Sequence, residues 1–193
     1  MRMRTVLAPA ALLVLAGCFT SLPEKKYYQI PLETAVPTAP PFPASLLVER
    51  CEIDSLYDDF RIVYRVSPYE INYYSYKFWA EKPSKLIRDS LGRYLEAARI
   101  FPKLYFDSTK DPVDWTLRCL IRRIEEIDGE PAWAARLDMR IEVIDSKSGA
   151  RLAERSFDRR EPLPRKDVGE MPAVLSRILG EELAALFAEL RRK

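Results

Sequence analysis

Residues 132–157, AWAARLDMRIEVIDSKSGARLAERSF, decide the fold. From Ala132 to Ile144 the side chains alternate. Trp133, Ala135, Leu137, Met139, Ile141 and Val143 take one parity, and Arg136, Asp138, Arg140 and Glu142 take the other. A period of two with one apolar and one charged face marks a strand that buries one side and wets the other, as in an antiparallel sheet. Asp145-Ser146-Lys147-Ser148-Gly149 then reads as a hairpin turn, and Arg151 to Phe157 returns with Leu152 and Phe157 as its apolar points.

Upstream, Trp115 to Ile124 alternates in the same way, which makes a meander of three strands. Downstream, the chain turns helical from about Asp167. Met171, Val174, Leu175, Ile178, Leu179, Leu183, Leu186, Phe187 and Leu190 form a broad apolar stripe, and Pro172, tolerated only in a first turn, sets the start near Gly169 or Glu170. A second helix is expected from Pro83 to Arg99, on the spacing of Leu86, Ile87, Leu91, Tyr94, Leu95 and Ala98. Before it, Lys26 to Ile30, Ser45 to Ile53 and Arg61 to Arg65 read as strands, and Ser67-Pro68 as a turn. Glu70 to Trp79 is aromatic, and its parity changes between Tyr73 and Tyr74, so a bulge or turn belongs there. Phe101 to Phe106 is a short extended piece. The order strands, helix, strands, helix gives an α/β (α+β) two-layer sandwich, with a mixed or largely antiparallel sheet and two helices packed on one face.

The N-terminus has a different character. Arg2 and Arg4 precede an apolar run from Val6 to Leu15 that ends in Leu15-Ala16-Gly17-Cys18. A basic start, an apolar stretch of about 10 residues and small residues before a cysteine describe an export signal whose cysteine accepts lipid. The run is shorter than the ~20 residues that span a bilayer. The expected division is therefore 1–17 signal peptide, 18–43 lipidated N-terminus with a short strand and a Pro-rich connector, and 44–193 the folded domain. Two or three acyl chains on Cys18 anchor the protein stably. Phe19 follows the cysteine and no Asp lies close behind, which, by resemblance to enterobacterial lipoproteins, points to the inner leaflet of the outer membrane.

Composition removes several function classes. Cleavage before Cys18 takes away Arg2 and Arg4, and the formal charge falls from +2 to 0. With charges of both signs interspersed there is no basic stripe for a phosphate backbone, so no nucleic-acid partner is expected. The chain has no histidine, which removes the usual general base and zinc ligand. None of its six glycines forms a phosphate cradle. No catalytic residue, metal or cofactor is expected, and Asp58-Asp59, Glu125-Glu126 and Glu181-Glu182 read as solvated surface. Cys51 and Cys119 both fall on apolar parities. Their spacing says nothing about distance, which leaves a disulfide and two buried free thiols open, the free pair being preferred.

The stretch from Arg61 to Ser90 resembles a known family. It holds an Ile-Val-Tyr-Arg strand, then Tyr69, Tyr73, Tyr76, Phe78 and Trp79, then Pro83 and Leu86 running into a helix. With the lipid-accepting Cys18, the Lys26-Tyr27-Tyr28 start and the long C-terminal helix, the chain is similar to the ABC-type transport auxiliary lipoproteins. That family includes the lipoprotein of the paraquat-inducible lipid-transport system. The resemblance implies a non-catalytic, periplasm-facing accessory. It would dock on, or cap, a periplasmic MCE-domain protein of an ABC-type lipid transporter, with a lipid carrier or structural envelope lipoprotein as the alternative. A ring-shaped partner implies several copies or a homo-oligomer. The family's recurring residues match Tyr64, Arg65, Tyr73 and Trp79. Tyr73 and Trp79 read first as cross-strand packing and second as an aromatic partner-binding patch, with Arg65 as its polar anchor. Phe19, Leu22, Tyr27 and Tyr28 could instead pack against a neighbour or the lipid surface.

Overall fold

The computed structural model describes residues 23–33, 40–129 and 132–192. Cys18, the signal segment, Phe19, Leu22 and part of the Pro-rich connector lie outside the described residues. The strands are β1 (Lys26–Tyr28), β2 (Ser45–Val48), β3 (Glu52–Ile53), β4 (Arg61–Ser67), β5 (Glu70–Trp79), β6 (Lys103–Phe106), β7 (Trp115–Ile127), β8 (Ala134–Asp145) and β9 (Arg151–Pro162). The helices are α1 (Pro83–Ala98) and α2 (Met171–Leu190), the latter entered through a 3-10 turn, Val168–Glu170. They make a mixed sheet with both helices on one face.

The sheet is organised around β7. One edge of β7 pairs antiparallel with β8 along almost its whole length, and β8 pairs in turn with β9. The other edge is divided among three short parallel partners: β2 at Trp115 to Leu117, β3 at Leu120 and Ile121, and β4 at Glu126 and Ile127. The sheet therefore forks, with β6 beyond β2 at one end and β5 then β1 beyond β4 at the other. Ser45 to Ile53, expected as one strand, is split because its two halves pair at separate places on β7. The anticipated irregularity in β5 is present. Between Arg61 and Val63 the partner shifts from Phe78 to Tyr73, which leaves extra residues on β5.

Alternation dictates the core. Ala135, Leu137, Met139, Ile141 and Val143 of β8, with Leu117, Ile121 and Ile124 of β7, meet Leu175, Ile178, Leu179, Leu183 and Leu186 of α2 in one buried cluster. α2 is also tied to β9, where Arg155 Nη2 donates to Glu182 Oε2 at 2.9 Å and Arg159 Nη1 to Glu181 Oε2 at 2.6 Å. α1 begins on Pro83, buries Leu86, Ile87, Leu91 and Leu95, and stops at Arg99, which is left-handed (φ 48°). Gly92 lets α1 approach β6 closely, because a Cβ there would lie 2.5 Å from the Phe106 ring. At the Trp115 end, Phe42, Phe101, Trp115 and Phe187 pack ring to ring, starting with Phe42 on Phe101 at 5.1 Å.

Cys51 lies between β2 and β3, and Cys119 in the middle of β7. The two are bridged, with Cα atoms 4.7 Å apart. The preferred expectation of free thiols is corrected by the forked sheet: β2 and β3 lie along the same edge of β7, so their connector passes beside Cys119. Among the described residues no helix is long and apolar enough to cross a membrane.

Candidate docking surface

At the Ile127 end of β7, the strands β4, β5 and β7 come together and place polar groups on both faces of the sheet. On the face away from the helices, Glu125 is fully buried. Its Oε2 accepts from Tyr57 Oη at 2.8 Å and from Arg65 Nε at 3.0 Å, and its Oε1 accepts from Arg136 Nη1 at 3.2 Å. Arg136 also donates to both carboxylate oxygens of Asp158, at 2.8 and 2.7 Å, and holds that carboxyl below its usual range. Arg65 Nη2 reaches Tyr57 Oη at 3.1 Å, and Arg65 Nη1 reaches the Pro68 carbonyl at 3.2 Å. Burial, together with the bond to Glu125, pushes the Tyr57 phenol up to about 12. A buried carboxylate persists only when its lone pairs are filled, and here two arginines and a phenol fill them.

The neighbouring Glu126 points to the helix face and is also fully buried. Tyr74 Oη donates to its Oε1 at 3.0 Å, and the Tyr64 ring stands 4.6 Å from that of Tyr74. Its Oε2 has no protein partner. Burial pushes the carboxyl up to about 7, with Asp128 and Asp167 adding to the rise and Tyr74 and Lys77 opposing it. Burial, and then the neighbouring Glu126, raises the Tyr74 phenol.

These two carboxylates correct the expectation that Glu125-Glu126 is solvated surface. A usable signal lay in the sequence: adjacent residues of a strand face opposite sides, so one of the pair had to turn inward. Arg136 and Asp138, expected on a wet face, are buried as well. Asp138 is buried between Arg122 Nε at 2.6 Å and Arg123 Nη1 at 2.7 Å. Glu182 is likewise buried beneath Arg155, not solvated.

The three residues singled out as partner-binding lie in one region with different exposure. Trp79 is 1% exposed and belongs to the core. Arg65 has 19% of its side chain exposed and is occupied by Glu125, Tyr57 and Pro68. Tyr73 is half-buried. Its Oη donates to the Leu56 carbonyl at 2.9 Å, and the Arg61 guanidinium lies 4.4 Å from its ring centre. Tyr27 stacks on Phe78 at 5.6 Å, with Lys25 Nζ 5.8 Å from the Phe78 ring centre. Among the described residues, the large apolar side chains left exposed are Tyr27, Leu56, Phe60, Val66, Tyr69 and Tyr76, all on β1, β4, β5 and the connections beside them. On the helix face, a cleft of about 770 Å³ opens beside α1 and α2, lined by Leu32, Tyr94, Ala173, Val174, Gly180 and Ala184 among others. Among the described residues no group of acidic or cysteine side chains could hold a metal ion.

The family model for the ABC-type transport auxiliary lipoprotein component matches residues 28–186. No curated protein matches the chain. A crystal structure of a Xanthomonas campestris protein is similar at a TM-score of 0.71 and 22% identity, covering 81% of this chain and 89% of that one. A second crystal structure, of an uncharacterized protein, is similar at a TM-score of 0.68 and 20% identity, covering 87% of this chain and 99% of that one. At such identities the likeness is one of fold.

Proposed function

Because the chain belongs to the ABC-type transport auxiliary lipoprotein family, we propose that it is the lipid-anchored periplasmic accessory of an MCE-associated lipid transporter, docking on the periplasmic MCE component. The family and fold are those of a non-catalytic accessory protein. The observation that carries the docking role is that, among the described residues, the exposed large apolar side chains are confined to the β1–β5–β4 branch of the sheet and its connections. Such side chains, next to arginine, are the usual anchors of a protein interface. In this reading Leu56 and Phe60 make contact, while Tyr73 on Arg61 forms the floor of the patch. Arg65 and Trp79 hold it rigid from below. Cys18 carries the acyl chains, with the outer membrane as the destination.

The test is capture of partners from gently solubilised envelopes by the full-length protein and by a Leu56→Ser/Phe60→Ser variant. Both positions are about half exposed, so the variant keeps its fold. Stoichiometric recovery of an MCE-domain protein, lost in the folded variant, is expected. Equal recovery by both proteins would reject this patch, and no MCE protein at stoichiometric yield would reject the docking role. The cleft beside α1 and α2 supports a second reading, a lipid carrier, because its volume falls within the usual range for small-molecule sites. Lipid released on denaturing the purified protein would favour the carrier.

A further inference from the structure

The molecule has two unlike poles. At the Trp115 end of β7, the β8–β9 turn is Asp145-Ser146-Lys147-Ser148-Gly149, polar and folded around the Asp145 carboxylate. At the Ile127 end, β4 and β5 are joined through Pro68 and Tyr69, with Ser67 opposite Glu70. Tyr69 is 98% exposed and Val66, one residue before the turn, is 41% exposed. The tip is held rigid. Arg65 Nη1 donates to the Pro68 carbonyl, Tyr69 N–H donates to Ser67 Oγ, and Asp128 N–H donates to the Arg65 carbonyl. Arg65 is itself fixed by buried Glu125. A large apolar side chain presented to water on a turn braced by a buried ion pair is organised for contact, since flexible display would need no such bracing.

The direction of β1 says what the tip meets. β1 runs parallel to β5, Lys26 opposite Lys77, so the chain enters β1 from the side of the Tyr69 tip. Seven residues lie between Cys18 and Lys26, and the eight steps that join them reach at most about 28 Å. The eight steps from Lys77 back to Tyr69 span at most about 26 Å, less the slack of the bulge in β5. A fully extended segment would therefore allow an acyl anchor at Cys18 to meet the Tyr69 pole, whereas the polar turn lies a further ~40 Å away, the length of β7, and out of its reach. We infer that the Val66-Ser67-Pro68-Tyr69 tip rests in the headgroup region of the leaflet that anchors Cys18 and orients the domain with its polar pole away from the membrane. This rests on acylation of Cys18, part of the reading above. Arg165 and Lys166 follow the end of β9 at the same pole and are exposed, Arg165 being paired with Glu170. Glu70 and Asp128 are there too, so the contact is chiefly apolar and aromatic and does not require anionic lipid.

The test uses the full chain, purified after export and reconstituted into phosphatidylethanolamine/phosphatidylglycerol vesicles. A polarity-sensitive fluorophore is placed on Tyr69→Cys or, as the opposite pole, on Ser148→Cys. Cys51 and Cys119 are bridged and acylated Cys18 has no thiol, so the label is single. Intact mass of the same sample reads acylation. The expected result is blue-shifted emission and several-fold slower quenching by an aqueous reagent at 69 but not at 148, little changed by salt or by omitting phosphatidylglycerol. Equal aqueous access at 69 and 148 in a protein shown to be acylated overturns the inference and leaves the docking role standing. An unmodified Cys18 overturns the anchor and the inference with it. Protection at 69 only after an envelope extract is added would assign the tip to a protein and overturn the lipid contact.

Discussion

Glu125 and Glu126 are neighbours in sequence and opposites in chemistry. The oxygens of Glu125 are filled by two guanidinium groups and a phenol. Glu126 has a single donor and one unpartnered oxygen, and burial favours its neutral form. Its carboxyl is raised from an ordinary value of 4.5 to about 7. Below 4.5 it is protonated in both folded and unfolded chains and contributes no penalty. Between 4.5 and about 7 the unfolded chain ionises first, so stability falls as pH rises through this window and levels off above it. The loss is about 3 kcal/mol at full extent. Glu126→Gln keeps an acceptor for Tyr74 and removes the charge. Urea unfolding should therefore show the variant gaining on the natural protein from pH 5 to pH 8, and parallel curves would contradict this account.

At the scale of the element, the Cys51–Cys119 bridge joins the β2–β3 connector to the centre of β7, closing a loop of 68 positions. Replacing both cysteines with alanine should lower the unfolding free energy by about 2–4 kcal/mol. Two free thiols in the oxidised natural protein, with an unchanged urea midpoint in the variant, would contradict the bridge. Strands that alternate strictly were legible in the sequence. Ala135 to Val143 fixed β8 and its buried face, and the stripe from Val174 to Leu190 fixed α2. The forked pairing along β7 was not legible, because β2, β3 and β4 are local patterns whose shared partner lies many residues away. The spacing of Cys51 and Cys119 left the bridge open for the same reason, since nothing local places the β2–β3 connector beside Cys119. The Glu125 network escaped because charged residues read one at a time look solvated. Only when Arg65 of β4 and Arg136 of β8 flank β7 do they become buried partners. Trp79 was placed correctly by its first reading, cross-strand packing, since it is enclosed in the core.

Across the whole molecule, polarity is distributed by function. Ion pairs cover much of the face away from the helices, as Arg118 with Glu49, Arg122 and Arg123 with Asp138, and Arg136 with Asp158. Such a face is well hydrated and resists casual association. Among the described residues, exposed apolar side chains gather instead on the branch of the sheet entered from the N-terminal chain, the side on which the proposed anchor at Cys18 would lie. This arrangement suits a module held at a membrane that presents a fixed surface to a neighbour. Hydrogen exchange of the purified protein, with and without the periplasmic part of the MCE component, reads whether this branch is the proposed docking face. Docking there should slow exchange only in the Asp54–Phe60 connection and in β5, with β9 and α2 unchanged; protection on β9 and α2, or none anywhere under conditions where the two proteins co-purify, would rule it out.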